Sequence, residues 1–155
     1  MVHYEGIFFE NKNAELLHSL ETHRLPIIND ELHCTFKYHP NENEIFNDIV
    51  GKYFEIIVIG YGNDGFNSGF EVIIPDELKP YYINYDEQNP TILKTPHITA
   101  SLAEDATANN TQNLKFELLT NPIKIKGRFG YWIKENENEY LSFNPININK
   151  IGSTK

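Results

Sequence analysis

The sequence predicts a strand-rich α+β fold in a single domain, and three observations lead to this prediction. The chain has 155 residues, a length typical of one domain. Apolar residues make up 40% of it and aromatic residues 13%, which suits an ordered domain built from aromatic-rich strands. Segments with the two-residue alternation of strands outnumber those with helical spacing. We therefore predict one domain over residues 1–155, with a loose tail at 150–155.

The beginning of the chain predicts a strand, a helix and a second strand. Residues 2–9 alternate in polarity, as strand residues do. Asn13 is a suitable N-cap for an amphipathic helix of about three turns that ends near Thr22. Pro26 then breaks the chain. Residues 32–38 alternate again and predict the next strand.

The middle of the chain predicts a hairpin between two less regular segments. A short helix is favoured over 42–50, before the strongly apolar, β-branched strand 53–61. The segment 62–69 holds three glycines among Asn, Asp and Ser, so we predict a hairpin turn leading into strand 70–74. Prolines then predict an irregular stretch over 75–96.

The last third of the chain predicts three more strands. The first spans 97–102 and alternates like the strand at 32–38. Residues 103–113 are polar and weakly patterned, which predicts a loop or a frayed helix. Late strands follow at 123–133 and 140–143, with the charged segment 135–139 as the turn between them.

Charge and cysteine content exclude several functional classes. The formal net charge is −9, so an extended basic surface for nucleic acid is disfavoured, and a small ligand in a local pocket fits better. Cys34 is the sole cysteine, which excludes a disulfide scaffold and a zinc knuckle. The start of the chain lacks the pattern of a signal peptide, and the longest apolar run, 56–59, is too short for a membrane span. We expect a cytoplasmic, monomeric protein without membrane contact.

Two short motifs have the same residue types in the same order. Only in His33-Cys34-Thr35 and His97-Ile98-Thr99 does a hydroxyl residue follow a histidine by two positions. Strand residues i and i+2 point to one face, so each histidine stands beside its own threonine, and the residue between them faces the core. The two histidines are 64 residues apart, which leaves room for half a domain between them.

These residue types suit acid–base chemistry on a phosphodiester. If the two strands lie side by side, two imidazoles and two hydroxyls converge on one concavity. Histidine serves as base or acid because its unperturbed pKa near 6.5 allows one neutral and one protonated ring. Threonine hydroxyls can bind the non-bridging phosphate oxygens, where an aimed donor is worth about 3 kcal/mol. We predict His33, Thr35, His97 and Thr99 as catalytic residues that need no metal or cofactor, and either histidine could be the acid.

Three further residues are candidate substrate-binding groups. Tyr4 in the first strand and Trp132 in a late strand could each stack on a base, which is worth about 1 to 3 kcal/mol. Neighbouring strand residues face opposite sides, so one of Tyr131 and Trp132 should reach a groove. Lys37 is expected on the face of His33 and Thr35, where it could steer phosphate; a solvated lysine at a strand end is the alternative.

Other catalytic patterns find little support. Cys34 and His33 face opposite sides of a strand, so they cannot form a thiol–imidazole dyad, and a buried core cysteine is the better interpretation. The glycines of 60–69 lack the order of a phosphate-binding loop. No H-E-x-x-H zinc motif, calcium loop or G-x-S-x-G sequence occurs.

The paired motifs, His33-Cys34-Thr35-Phe36 and His97-Ile98-Thr99-Ala100, resemble those of the 2H phosphoesterase superfamily. That superfamily includes RNA-end cyclic phosphodiesterases and the phage anti-CBASS nucleases. The resemblance implies a bilobal α+β fold with two antiparallel-rich sheets around a central groove, and metal-independent cleavage with the histidines as acid and base. Overall size and motif spacing look closer to the compact phage enzymes, which destroy cyclic oligonucleotide signals of bacterial defence.

The sequence therefore favours a phosphoric diester hydrolase acting on a cyclic nucleotide or cyclic oligonucleotide. An RNA 2′,3′-cyclic phosphodiesterase that processes RNA ends is the enzymatic alternative. A nucleotide- or RNA-binding module that keeps the groove without chemistry is a second class. A protein-interaction domain with incidental histidines is a third, and it predicts no nucleotide affinity.

Overall fold

Antiparallel strands dominate the computed structural model, which describes residues 1–83, 85–86, 89–93 and 95–147. The strands are β1 (Val2–Phe9), β2 (Ile27–Ile28), β3 (His33–Tyr38), β4 (Tyr53–Asn63), β5 (Asn67–Ile73), β6 (Tyr85–Asp86), β7 (Asn89–Leu93), β8 (His97–Leu102), β9 (Glu117–Glu135) and β10 (Asn138–Ser142). Helix α1 spans Asn11–Ser19, and short 3₁₀ helices cover Glu42–Glu44, Asp76–Tyr81 and Ala108–Asn113. Among the described residues, none of the helices has the length and apolar character needed to cross a bilayer.

The main sheet has the strand order β2-β8-β5-β4-β9-β1-β3, with β10 also paired to β9. Strand β9 is 19 residues long and joins the two halves of this sheet. Its first part pairs with β4 as far as Arg128, and its second part pairs with β1 from Gly127 to Ile133. The two sheets expected from the sequence are therefore continuous through β9. Strands β6 and β7 form a separate pair.

The main sheet is open and curled around its core. Strand β3 ends the strand order and β8 lies one strand from the other end, yet the two come within 8 Å of each other between Cα atoms. Side chains from both halves share one buried cluster, including Phe36, Phe70, Ile98 and Phe129, each with no exposed surface. Burial of such large apolar side chains is the main stabilising contribution to this fold.

Several predicted elements are confirmed. Strands β1 and β8 have the predicted bounds, and β3 begins one residue later than predicted. Strands β4 and β5 form the predicted antiparallel hairpin. Gly65 at the hairpin turn has φ +86°, a conformation that favours glycine, and Asp64 accepts hydrogen bonds from the backbone amides of Phe66 and Asn67.

The predicted helices differ from the observed ones because tertiary contacts override the local signals. Helix α1 has Glu10 at its N-cap, while the Asn13 side chain donates to the Lys126 carbonyl at 2.9 Å. Only Glu42–Glu44 of the helix predicted over 42–50 is helical. The residues after it are held in turns, where Asn47 bonds both the Tyr131 hydroxyl and the Ile146 backbone.

The later elements are more regular than predicted. The stretch 75–96, predicted to be irregular, contains the 3₁₀ helix Asp76–Tyr81 and strands β6 and β7. Strand β9 begins six residues before the predicted start at 123. The sequence did not indicate this part of the strand, because residues 117–122 are mostly exposed and lack an apolar alternation. Strand β10 ends at Ser142, and the tail predicted at 150–155 lies outside the described residues.

A buried polar network ties α1 to strands β5 and β8. Glu21 is 8% exposed, and its carboxylate accepts hydrogen bonds from the Ser68 hydroxyl and from the Ser101 hydroxyl at 2.9 Å. His18 lies 2.7 Å from the other Glu21 oxygen and 3.1 Å from the Asn29 carbonyl. Asn29 in turn donates to the Thr99 carbonyl at 2.8 Å. The network therefore fixes the strand that carries the second His-x-Thr motif.

Replacing Glu21 with alanine is expected to lower the free energy of unfolding by about 3 to 5 kcal/mol, because it leaves buried hydroxyl and imidazole groups without their partner. The exposed residue Glu15, on the helix that precedes Glu21, provides a control: Glu15→Ala should change the free energy of unfolding by less than about 0.5 kcal/mol. Urea unfolding followed by circular dichroism measures both values. Equal effects of the two substitutions would contradict a stabilising role for the network.

Candidate functional site

The two His-x-Thr segments meet where the curled sheet nearly closes. Strand β2 pairs with β8 only at Ser101 and Leu102, and Asn29 after it bonds the backbone of Ala100 and Thr99, so the His97 end of β8 is not paired with β2. There the backbone amide of His97 lies close to the Cys34 sulfur. Burial raises the pKa of the Cys34 thiol to about 12, so this buried sulfur is held as a thiol, as expected of a core cysteine.

The two imidazoles are held in the same way. Nδ1 of His33 lies 2.9 Å from the Glu31 carbonyl oxygen, and Nδ1 of His97 lies 2.8 Å from the Thr95 carbonyl oxygen. Each carbonyl belongs to the residue two positions earlier, and it can only accept a hydrogen bond. Nδ1–H is therefore the donor in both rings, and Nε2 carries the lone pair when the ring is neutral. Nε2 is thus the atom of each ring that can exchange protons with a ligand.

His33 is surrounded by aromatic side chains. Its ring centroid lies 4.8 Å from that of Tyr4, in a stacked arrangement, and 5.4 Å from that of Phe8. The pKa of His33 is lowered to about 4, mainly by burial; the Glu31 carbonyl opposes this shift and the charge of nearby His97 adds to it. At neutral pH His33 is therefore a neutral acceptor, the form that a general base requires.

The two threonine hydroxyls differ in their partners. Thr35 is buried, and its hydroxyl makes no hydrogen bond within the described part of the chain. The Thr99 hydroxyl donates to Thr111 Oγ1 at 2.9 Å and also lies 3.3 Å from the Ala108 carbonyl. Thr35 can thus offer its hydroxyl to a ligand directly, whereas Thr99 has to exchange a partner in the 3₁₀ helix Ala108–Asn113.

Tyr4 and Trp132 lie next to each other beside His33. They are paired across β1 and β9, and their rings are stacked with centroids 6.0 Å apart. The Trp132 indole N–H donates to Glu139 at 3.2 Å. Tyr131, the alternative to Trp132, is fully buried and donates its hydroxyl to Asn47 at 2.9 Å. Of the two neighbours, Trp132 is therefore the one on the face of His33.

A β-bulge moves Lys37 away from the predicted position. The pairing of β1 with β3 shifts between Glu5 and Gly6, so Lys37 lies opposite Glu5 and Tyr38 lies opposite Tyr4. Paired residues share a face, and Lys37 is therefore beside the buried Glu5 rather than on the face of His33 and Thr35. The sequence alternation could not reveal this, because a single extra residue reverses the faces.

Two neighbours of His33 and Thr99 were missed by the sequence analysis. Phe8 could have been found, since it is four positions after Tyr4 and therefore shares its face of the predicted first strand. Thr111 carries no sequence signal, because its segment is polar and weakly patterned. No three His, Cys, Asp or Glu side chains within the described residues are arranged to hold a metal ion.

Comparison with known proteins gives no family assignment. No protein-family model matches the chain, and none of the curated proteins matches it. The geometry of the site therefore has to support any functional conclusion by itself.

Glu5 is a buried carboxyl group without a full set of partners. It has no exposed surface, Oε1 accepts the Phe46 amide at 3.4 Å, and Oε2 has no hydrogen-bond partner among the described residues. Burial raises the pKa of Glu5 to about 8 from 4.5; the Glu44 charge adds to the rise, while the Phe46 amide and the Lys37 charge oppose it. The folded protein thus keeps a proton that the unfolded chain releases between about pH 4.5 and 8.

Stability should therefore decrease as pH rises through this window, and Glu5→Gln should remove that part of the decrease. We expect the variant to gain on the order of 3 kcal/mol relative to the wild type between pH 5 and pH 8.5. Denaturant unfolding at several pH values measures the difference. The exposed Glu55 provides the control Glu55→Gln, and parallel curves for wild type and Glu5→Gln would contradict the raised pKa.

Proposed function

We propose that the protein is a metal-independent phosphodiesterase that cleaves a cyclic nucleotide or cyclic oligonucleotide by two-histidine acid–base catalysis. The observation that carries this proposal is the pair of imidazoles on β3 and β8, both held through Nδ1 by a backbone carbonyl. In both rings the hydrogen bond at Nδ1 leaves Nε2 as the atom that exchanges a proton with the ligand. The His97 charge acts on His33, as expected for groups that serve one reacting centre.

In the proposed reaction Nε2 of His33 takes a proton from the attacking hydroxyl or water as its oxygen bonds to phosphorus. The bond from phosphorus to the leaving oxygen breaks, and that oxygen receives a proton from Nε2 of His97. The neutral state of His33 supports its role as the base, which leaves the role of the acid to His97. The Thr35 hydroxyl donates to a non-bridging oxygen, and Thr99 does the same after leaving Thr111.

The same proposal assigns a cellular setting. In this proposal the halves of the sheet on either side of β9 serve as the two lobes of a 2H phosphoesterase, with the groove between β3 and β8. The protein acts as a monomer in the cytoplasm on a bacterial antiviral second messenger, with Tyr4 and Trp132 contacting a base. A net charge of −9 supports a small ligand over a long nucleic acid.

A nucleotide-binding module without chemistry is the second candidate, and one observation favours it. The Thr99 hydroxyl is already engaged with Thr111, so one of the expected phosphate donors is not poised for a transition state. This candidate predicts that 2′,3′-cyclic AMP or cyclic di-AMP binds in calorimetry while no product forms.

Cleavage of 2′,3′-cyclic AMP or cyclic di-AMP should persist in EDTA and fall by about 10²- to 10⁴-fold in His33→Ala and in His97→Ala, because each variant lacks one proton-transfer group. The exposed His23 gives the control, since His23→Ala should retain full activity. Product formation is measured by chromatography, with circular dichroism to confirm the fold. Full activity in both site variants would overturn the proposal.

The pH dependence of kcat/KM should show an acid limb near pH 4 rather than near 6.5, because the base is lost only when His33 becomes protonated. Phe8→Ala admits water to the His33 ring, which weakens the effect of burial and should move this limb towards 6.5. Initial rates between pH 3.5 and 9, with a check that activity returns at neutral pH, measure both profiles. Identical acid limbs near 6.5 would exclude a base whose pKa is lowered by its surroundings.

A further inference from the structure

A cleft of about 400 Å³ lies next to the surroundings of His33 and shares two residues with them. Phe8 and Glu31 line it, and both also contact His33, the first through its ring and the second through its carbonyl oxygen. Strand β9 supplies Arg128 to the walls, and Phe143 comes from the segment just after β10. The cleft is therefore separated from the proposed catalytic residue by only these two shared neighbours, Phe8 and Glu31, and it has room for a further small chemical unit.

Arg128 is held in this cleft without being neutralised. Its Nε–H donates to the Gly51 carbonyl at 2.9 Å. Its guanidinium carbon lies 4.5 Å from the centre of the Phe143 ring and 5.3 Å from that of Tyr53. No ion pair links it to a carboxylate in the part of the chain that the structure describes. A half-buried, oriented and unpaired guanidinium is well suited to bind a phosphate through its planar donors.

A second cation and two carboxylates complete the chemistry of the cleft. Lys126 is exposed, precedes Arg128 by two positions on β9, and also lines the cleft. Two cations at one cleft stand out in a chain with a net charge of −9. Glu10 and Glu31 line the cleft as well. Carboxylates repel phosphate but accept hydrogen bonds from the amino and imino groups of a base.

We propose that this cleft is a second nucleotide subsite. Arg128 and Lys126 bind a phosphate next to the one that is cleaved, and Phe8 and Phe143 contact the attached base. The inference rests on the proposed function for its orientation, since it places the cleaved phosphate at His33. It extends that function by requiring a substrate with at least two nucleotides, so that a cyclic mononucleotide fills only part of the site.

Binding measured without turnover tests the subsite. In a His97→Ala background, calorimetry with cyclic di-AMP and with 2′,3′-cyclic AMP compares a two-nucleotide and a one-nucleotide ligand. Arg128→Gln should raise the Kd for cyclic di-AMP at least tenfold and leave the Kd for 2′,3′-cyclic AMP within twofold. Arg128→Lys should lie between, because it keeps the charge and loses the planar donors.

Surface variants keep the test valid if the Arg128 variants fold poorly. Lys126→Ala should weaken cyclic di-AMP binding about threefold, since an exposed phosphate contact contributes mainly electrostatic attraction. Lys124 lies on the same face of β9 and outside the cleft, so Lys124→Ala is the matched control and should have no effect.

Three results would overturn the subsite: equal affinity of the parent for both ligands, equal losses for both ligands in Arg128→Gln, or unchanged binding of cyclic di-AMP in Arg128→Gln and Lys126→Ala. Selective loss of cyclic di-AMP binding, together with no turnover by the wild type, would retain the subsite and reject the phosphodiesterase activity.

Discussion

The approach of β3 to β8 is the constraint on which the candidate site depends. Sheet hydrogen bonds do not join these two strands directly; the contact between the His97 amide and the Cys34 sulfur lies between them. Strand β3 is itself packed closely on β1, because a Cβ on Gly6 would lie 2.1 Å from the Cys34 carbonyl oxygen. The backbone of the Cys34 region is thus fixed from both sides. The neighbouring residues His33 and Thr35 are therefore held in fixed positions as well.

Burial has opposite electrostatic consequences for the acids and bases of this protein. It makes the His33 imidazole harder to protonate and the Glu5 carboxyl harder to ionise, so both groups tend to be neutral near pH 7. The two residues lie on opposite faces of the β1–β3 pair, one near the proposed reacting centre and one in the core. The proposed chemistry at His33 and the stability cost at Glu5 therefore come from the same cause, the removal of water from one segment of the sheet.

The sequence could predict those features that depend on a local period. The alternation around His33 and His97 predicted their strands, the shared face with each threonine and the core position of Cys34. It failed at Lys37, where a bulge in the pairing with β1 reverses the faces without any change in composition. Arg128 could not be foreseen either, because its site joins β9 to Gly51 and Phe143, which are distant in the chain.

The pairing of β1 with β9 has a consequence for the way the chain acquires its structure. These strands lie near opposite ends of the described sequence, and β9 is an interior strand of the sheet. A ribosome releases the apolar residues of β1 long before it releases the strand against which they pack. Until β9 is available, these apolar residues can associate with other chains. Because pairing β1 with β9 closes a long loop, folding to the native topology is expected to be slow.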